Sequence, residues 1–168
     1  GYPGPSTFEA EYRVVGATLR VELRAVSEQQ TLCNLATHCY FNLDGSNSVL
    51  KHLLKVAATH YTPTDQEMIP TGEVTSVSGT AYDYRSLREI GGKGYKGLDM
   101  NFCIASKRRS LSFLAKLVGP QTGIELEVWS TEPGLQIYDG SHITLAAKDS
   151  INEIELSAGA GLAMEPQS

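Results

Sequence analysis

Cysteine is scarce in this 168-residue chain, and no apolar run approaches the length needed to cross a membrane as a helix. Three cysteines, Cys33, Cys39 and Cys103, make an odd number without metal-type spacing. They exclude a disulfide scaffold and read as buried thiols in a reducing compartment. Basic charge is also lacking. A net charge of −5 leaves no electrostatic footprint for nucleic acid. The opening "GYPGPSTFEA" has neither the basic region nor the apolar stretch of a signal peptide, so a cytoplasmic location is expected. Neither an internal repeat nor a low-complexity tract is visible. His52, His60 and His142 share no ligand-like spacing and read as core or surface residues. What is present, 41% hydrophobic and 20% charged residues, fits one globular domain. A chain of this length buries about 70% of its unfolded surface.

Alternation with period two dominates the pattern. In residues 7–15, Phe8, Ala10, Tyr12 and Val14 alternate with Glu9, Glu11 and Arg13. In residues 18–26, Leu19, Val21, Leu23 and Ala25 alternate with Arg20, Glu22 and Arg24. Gly16-Ala17 between them predicts a hairpin. A second hairpin is predicted through "GPQTG" at 119–123. Residues 48–58 fit either a strand or a helical stripe of Val49, Leu50, Leu53, Leu54 and Ala57. Residues 59–73 and 85–97, rich in Pro, Gly and charge, read as connections. "SKRRS" at 106–110 reads as a charged hairpin edge rather than a phosphate clamp. The expected class is all-β, an antiparallel β-sandwich.

Parity then singles out four residues. The segment "NLATHCYFNLDG", read as a strand, sets Leu35, Thr37, Cys39, Phe41 and Leu43 on one face and Asn34, Ala36, His38, Tyr40 and Asn42 on the other. In "GLDMNFCIA", Leu98, Met100, Phe102 and Ile104 oppose Asp99, Asn101 and Cys103. In "GLQIYDG", Leu135 and Ile137 oppose Gln136 and Tyr138, and in "GLAMEPQS", Leu162 and Met164 oppose Glu165 and Gln167. Asp and Asn are depleted in strands, so their presence on one face calls for an explanation. Four strands thus each present a polar group opposite an apolar stripe: His38, Asp99, Gln136 and Glu165. Each also has an ordinary structural reading. His38 can bridge backbone groups, Asp99 can serve the turn after Gly97, and Glu165 beside Pro166 can be a solvated carboxylate. Tyr40 and Tyr138 fit a cavity lining as well as a stacking surface. Four on one parity favour a shared cleft.

Six segments, "NLATHCYFNLDG", "YTPTDQEMIPTGE", "SGTAYDYR", "GLDMNF", "STEPGLQIYDG" and "GLAMEPQ", resemble the aldose 1-epimerases (galactose mutarotases) and follow in that family's order. "GYPG" at the start adds to the resemblance, which covers almost all of the chain. It implies part of a galactose mutarotase-like β-supersandwich and a strand at 48–58. The family interconverts α and β anomers of free aldohexoses. One base removes the C1 hydroxyl proton, one acid protonates the ring oxygen, and the opened chain rotates and recloses; neither metal nor redox cofactor is required. By resemblance, Glu165 in "AMEPQ" is the base and His38 in "THCYFNL" the acid. Asp99 in "GLDMNF" and Gln136 in "EPGLQIY" bind sugar hydroxyls.

The chain also departs from the family pattern. Met100 stands where many members have a second histidine after the aspartate, so one polar contact at the site is expected to be missing. Members are roughly twice as long, with an upstream half supplying an arginine and another histidine. A partial mutarotase domain lacking the N-terminal half and the extreme C-terminus is therefore expected, with open edges that favour self-association or a complementing chain. Three alternatives accompany the leading assignment: a non-catalytic carbohydrate-binding remnant, a hexose-6-phosphate epimerase, and an inert structural β-domain. The second requires clustered Arg or Lys, which the cavity-facing positions do not offer.

Overall fold

Alternating sequences joined by a two-residue Gly-Ala turn should form a tight antiparallel ribbon, and they do. A computed structural model describes residues 3–151 and 153–168 and divides into two compact units, residues 1–36 and 37–168. In the first, β1 (Ser6–Val15) pairs with β2 (Thr18–Ser27) from Ser6↔Ser27 to Val15↔Thr18. Gly16 takes φ 58° at the first central turn position, which suits the tight hairpin turn that favours glycine there. Cross-strand pairing sets Phe8, Ala10, Tyr12 and Val14 against Ala25, Leu23, Val21 and Leu19. This apolar face is open, with Phe8 and Tyr12 each more than half exposed.

The second unit holds two antiparallel sheets. The smaller has the order β10 (Glu125–Ser130), β9 (Ser112–Val118), β4 (Leu53–Val56), β7 (Arg88–Glu89). In the larger, β3 (Tyr40–Phe41), β12 (Leu162–Gln167), β11 (Gly134–Tyr138) and β8 (Asp99–Cys103) lead to β5 (His60–Thr62) and β6 (Thr75–Ser76). One core lies between them. Leu54, Val56, Leu114 and Leu117 come from the small sheet, and Phe102, Leu135, Ile137, Leu162 and Met164 from the large one, all essentially inaccessible. The expected β-sandwich is thus present, and the predicted 119–123 turn joins β9 to β10.

Several local expectations are corrected. Residues 34–43 do not form a strand; only Tyr40 and Phe41 pair, against Ala163 and Leu162. Asn42 accounts for part of the break, because its amide donates to the Ser46 and Ala160 carbonyls at 2.5 and 2.8 Å and draws the chain into a turn. Residues 48–58 hold a turn and then β4, with no helix. The stretches read as connections contain the short β5, β6 and β7, and Tyr61 packs on the core. Residues 106–110 lie in an exposed loop between β8 and β9 rather than on a hairpin, with Arg108 paired to Glu132 at 2.9 Å. Cys33 and Cys39 are exposed and Cys103 is half-buried, so none is the buried thiol expected.

Beside β4, His52 is fully inaccessible. The Leu43 N–H donates to its Nε2 at 3.0 Å, which requires the proton on Nδ1, 4.0 Å from Asp44 Oδ2. Asp44 in turn accepts from the Gln121 and Thr122 N–H groups at 3.2 and 3.0 Å, tying the 119–123 turn to this loop. Burial holds the His52 pKa below its ordinary 6.5, against the opposing pull of Asp44. A lowered pKa means the unfolded chain takes up the proton first, so stability is complete above 6.5 and falls as the pH drops below it. Thermal melts should show a midpoint that declines below pH 6.5, and His52→Gln should flatten the upper part of that decline.

Candidate active site

The larger sheet has one face turned to the core and one that is free to carry polar groups. Its register lines these groups into rows. Glu165 pairs with Gln136, Gln136 with Asn101, and Asn101 with Thr62, across β12, β11, β8 and β5. One step along the strands, Tyr40 pairs with Ala163, Ala163 with Tyr138, and Tyr138 with Asp99. Side chains alternate along strands, so both rows project from the same face. The residues between them, Met164, Ile137 and Met100, go to the core. Glu165, Gln136 and Asp99 therefore share a face, as the parity of their strands predicted.

His38 reaches the same place from just before β3. Its Nε2 lies 3.5 Å from Glu165 Oε1, near enough for electrostatic contact and longer than a formed hydrogen bond. The imidazole is half-exposed, while the Glu165 side chain retains 11% of its accessibility. Tyr40 flanks the His38 ring at 5.1 Å between centroids, and Tyr138 meets it edge-on at 6.4 Å. Tyr138 is itself fixed by the His142 N–H, which donates to its hydroxyl at 3.0 Å. Gln136 Nε2 donates to Asp99 Oδ1 at 2.5 Å, so these two form one polar unit.

Two supports hold this geometry. Asp139, fully buried at the end of β11, accepts from the Leu98 N–H at 2.7 Å, the Ser141 N–H at 2.9 Å and the Tyr95 hydroxyl. The Asp139 N–H also donates to the Leu98 carbonyl at 2.9 Å. The residue immediately before Asp99 is thereby clamped to the residue immediately after Tyr138. Gly134 supplies the second support. An added Cβ would lie 2.8 Å from Asn101 Oδ1, so a larger residue here would push that side chain out of place. Asn101 accepts from Gln167 at 3.2 Å and donates to Thr62 at 3.4 Å.

Burial pushes the Glu165 carboxyl above its ordinary range, with His38 opposing the shift and Asp99 adding to it. A poorly solvated carboxylate is the stronger base, and an imidazole in contact with it can pass or hold a proton. Tyr40 is pushed up by burial and by Tyr138, Glu165 and Asp99, and so remains a neutral donor.

Met100 corrects an expectation. It is 6% exposed and belongs to the core cluster, on the face opposite Asp99. Its side chain therefore takes no polar contact away from the site. Thr62 and Gln167 were not singled out by sequence. The alternation His60-Tyr61-Thr62 was a usable signal, masked by the Pro-rich stretch that follows.

Against known proteins, the sequence matches the aldose 1-epimerase family across residues 1–168. The chain belongs to that family. It is 37% identical over 160 residues to galactose mutarotase from Rattus norvegicus, a match covering 92% of this chain and 46% of the rat protein. Against aldose 1-epimerase from Escherichia coli strain K12 it is 31% identical over 153 residues, covering 85% and 44%. The crystal structure of an aldose epimerase homologue from C. elegans superposes with a TM-score of 0.89 at 28% identity, covering 99% of this chain and 52% of that one. The chain thus spans about half the length of the aldose 1-epimerase relatives it matches.

Ionising a carboxyl whose folded pKa is raised costs stability as pH rises from the ordinary 4.5 through the folded value. Glu165→Gln should therefore melt at a higher temperature than wild type at pH 7, with the difference vanishing below pH 4.5.

Proposed function

We propose that this chain carries the acid–base half of an aldose 1-epimerase site and interconverts the α and β anomers of free aldohexoses, galactose or glucose. Glu165 takes the C1 hydroxyl proton and His38 delivers one to the ring oxygen. The C1–O5 bond breaks to give the open aldehyde. Rotation about C1–C2 and reclosure, with both proton transfers reversed, yield the other anomer. Asp99 and Gln136 hold the sugar hydroxyls, and Tyr40 and Tyr138 offer ring faces to its C–H groups. The single observation that carries this reading is the 3.5 Å approach of His38 to a buried Glu165 on the same face as the Asp99–Gln136 pair. A hemiacetal presents its hydroxyl and ring oxygen on one carbon, so an acid and a base on one face and near each other can reach both oxygens of a single sugar.

The exposed, unpaired Cys33 and Cys39 support a reducing compartment such as the cytoplasm. Among the described residues no helix is long and apolar enough to cross a membrane. The open apolar face of β1 and β2 supports self-association or docking of a complementing chain. Size-exclusion chromatography should then show a species larger than one chain, and a compact monomer at all concentrations would oppose it.

Polarimetry on freshly dissolved α-D-glucose and α-D-galactose tests the activity. Catalysed mutarotation is expected, falling about 10²–10⁴-fold in Glu165→Gln and in His38→Gln. Its pH profile should have an acid limb above 4.5, because Glu165 must be ionised and its pKa is raised. Sugar binding without anomer exchange would instead identify a binding domain that has lost turnover.

A further inference from the structure

Beyond the Asp99–Gln136 pair, the polar row continues to Asn101 and Thr62, and the surface there is concave. A hollow of about 80 Å³ is floored by Asp99, Gln136, Asn101 and Thr62 and walled by Thr64, Met68 and Pro70. The wall is a loop closed on itself by hydrogen bonds. Asp65 accepts from the Glu67 and Ile69 N–H groups at 2.8 and 3.0 Å, its own carbonyl takes the Met68 N–H at 3.2 Å, and Thr64 bridges to Pro70. This arrangement forces Met68 to φ 64°, a left-handed conformation that a glycine would adopt without strain. A side chain kept at a strained position and lining a hollow beside a candidate site is a reason to look for a role there.

We propose that this hollow is the subsite for the end of the sugar remote from the anomeric carbon, and that Met68 sets which O4 substituents it admits. The proposal rests on the epimerase reading above. With the C1 hydroxyl at Glu165 and the ring oxygen toward His38, which enters from the β3 side, C3 and C4 point along the row toward β11 and β8. Neighbouring strands are about 4.8 Å apart, so a pyranose placed this way brings its C4 hydroxyl to the edge of the hollow. Asn101, oriented by Gln167 and Thr62, presents its amide there. The space suits a hydroxyl or hydroxymethyl group and not a second sugar ring. No cation lines it, and the Asp99 carboxylate does, so a phosphate is disfavoured there as well.

The test compares dissociation constants for D-glucose and for maltose, which carries a second ring on O4, by NMR titration of the full chain and three variants. Wild type should bind glucose more tightly than maltose. Asn101→Ala and the isosteric Thr62→Val should weaken glucose binding by about three- to tenfold, the worth of a hydrogen bond. Met68→Gly, compatible with the backbone, should raise maltose affinity relative to glucose several-fold. Glucose binding with an unchanged glucose-to-maltose ratio in Met68→Gly, and with unchanged affinity in the other two, overturns the subsite and leaves the epimerase reading intact. Absence of glucose binding to the wild type overturns both.

Discussion

The site depends on one pairing register. β11 lies between β12 and β8, and Gln136 stands opposite Glu165 on one side and Asn101 on the other. Because side chains alternate strictly along a strand, a slip of one residue would send Gln136 and Tyr138 into the core and Leu135 and Ile137 into the site. The core prevents that slip. Leu135, Ile137, Phe102 and Leu162 are completely buried, and each such side chain is worth about 1.5–3 kcal/mol of transfer free energy. The apolar face thus fixes the position of the polar one. Asp139 adds a local lock where a slip would start, since its carboxylate and backbone both bond Leu98.

That arrangement lets a buried acid persist on the outer face. Glu165 is held by a strand whose alternate residues, Leu162, Met164 and their neighbours, anchor it elsewhere, so its raised pKa is tolerated rather than relieved by movement. His38 is held differently. It sits outside any strand, half-exposed, against Tyr40 and Tyr138, and its position relative to Glu165 depends on the two-residue pairing of β3 with β12. The carboxylate is buried on a paired strand and the imidazole is half-exposed outside one, a division that suits the proposed roles of base and acid.

Much of this was legible from period-two alternation. The parity of Asp99, Gln136 and Glu165 against Met100, Ile137 and Met164 gave the two faces of the sheet correctly, because strands buried on one side write their orientation into the sequence. Other features were not legible for identifiable reasons. The segment around His38 has strand-like composition, yet Asn42 diverts the backbone by bonding carbonyls 4 and 118 residues away, and one of those bonds is tertiary. β5 is only three residues long and adjoins Pro63, too short for periodicity to register. Met100 misled in the other direction: the histidine that many family members carry at its position suggested a site contact, while parity assigns it to the core. Glu165 beside Pro166 also fits a solvated carboxylate in the sequence, and only its burial in the folded chain removes that reading.

In the proposed reaction Glu165 and His38 flank a single hemiacetal. A crystal structure of the chain with a bound aldohexose tests it most directly. The C1 hydroxyl is expected within hydrogen-bond distance of a Glu165 oxygen, the ring oxygen within that distance of His38 Nε2, and other hydroxyls on Asp99 and Gln136. A hexose seated away from this face, or on it with its anomeric carbon remote from Glu165, would contradict the account.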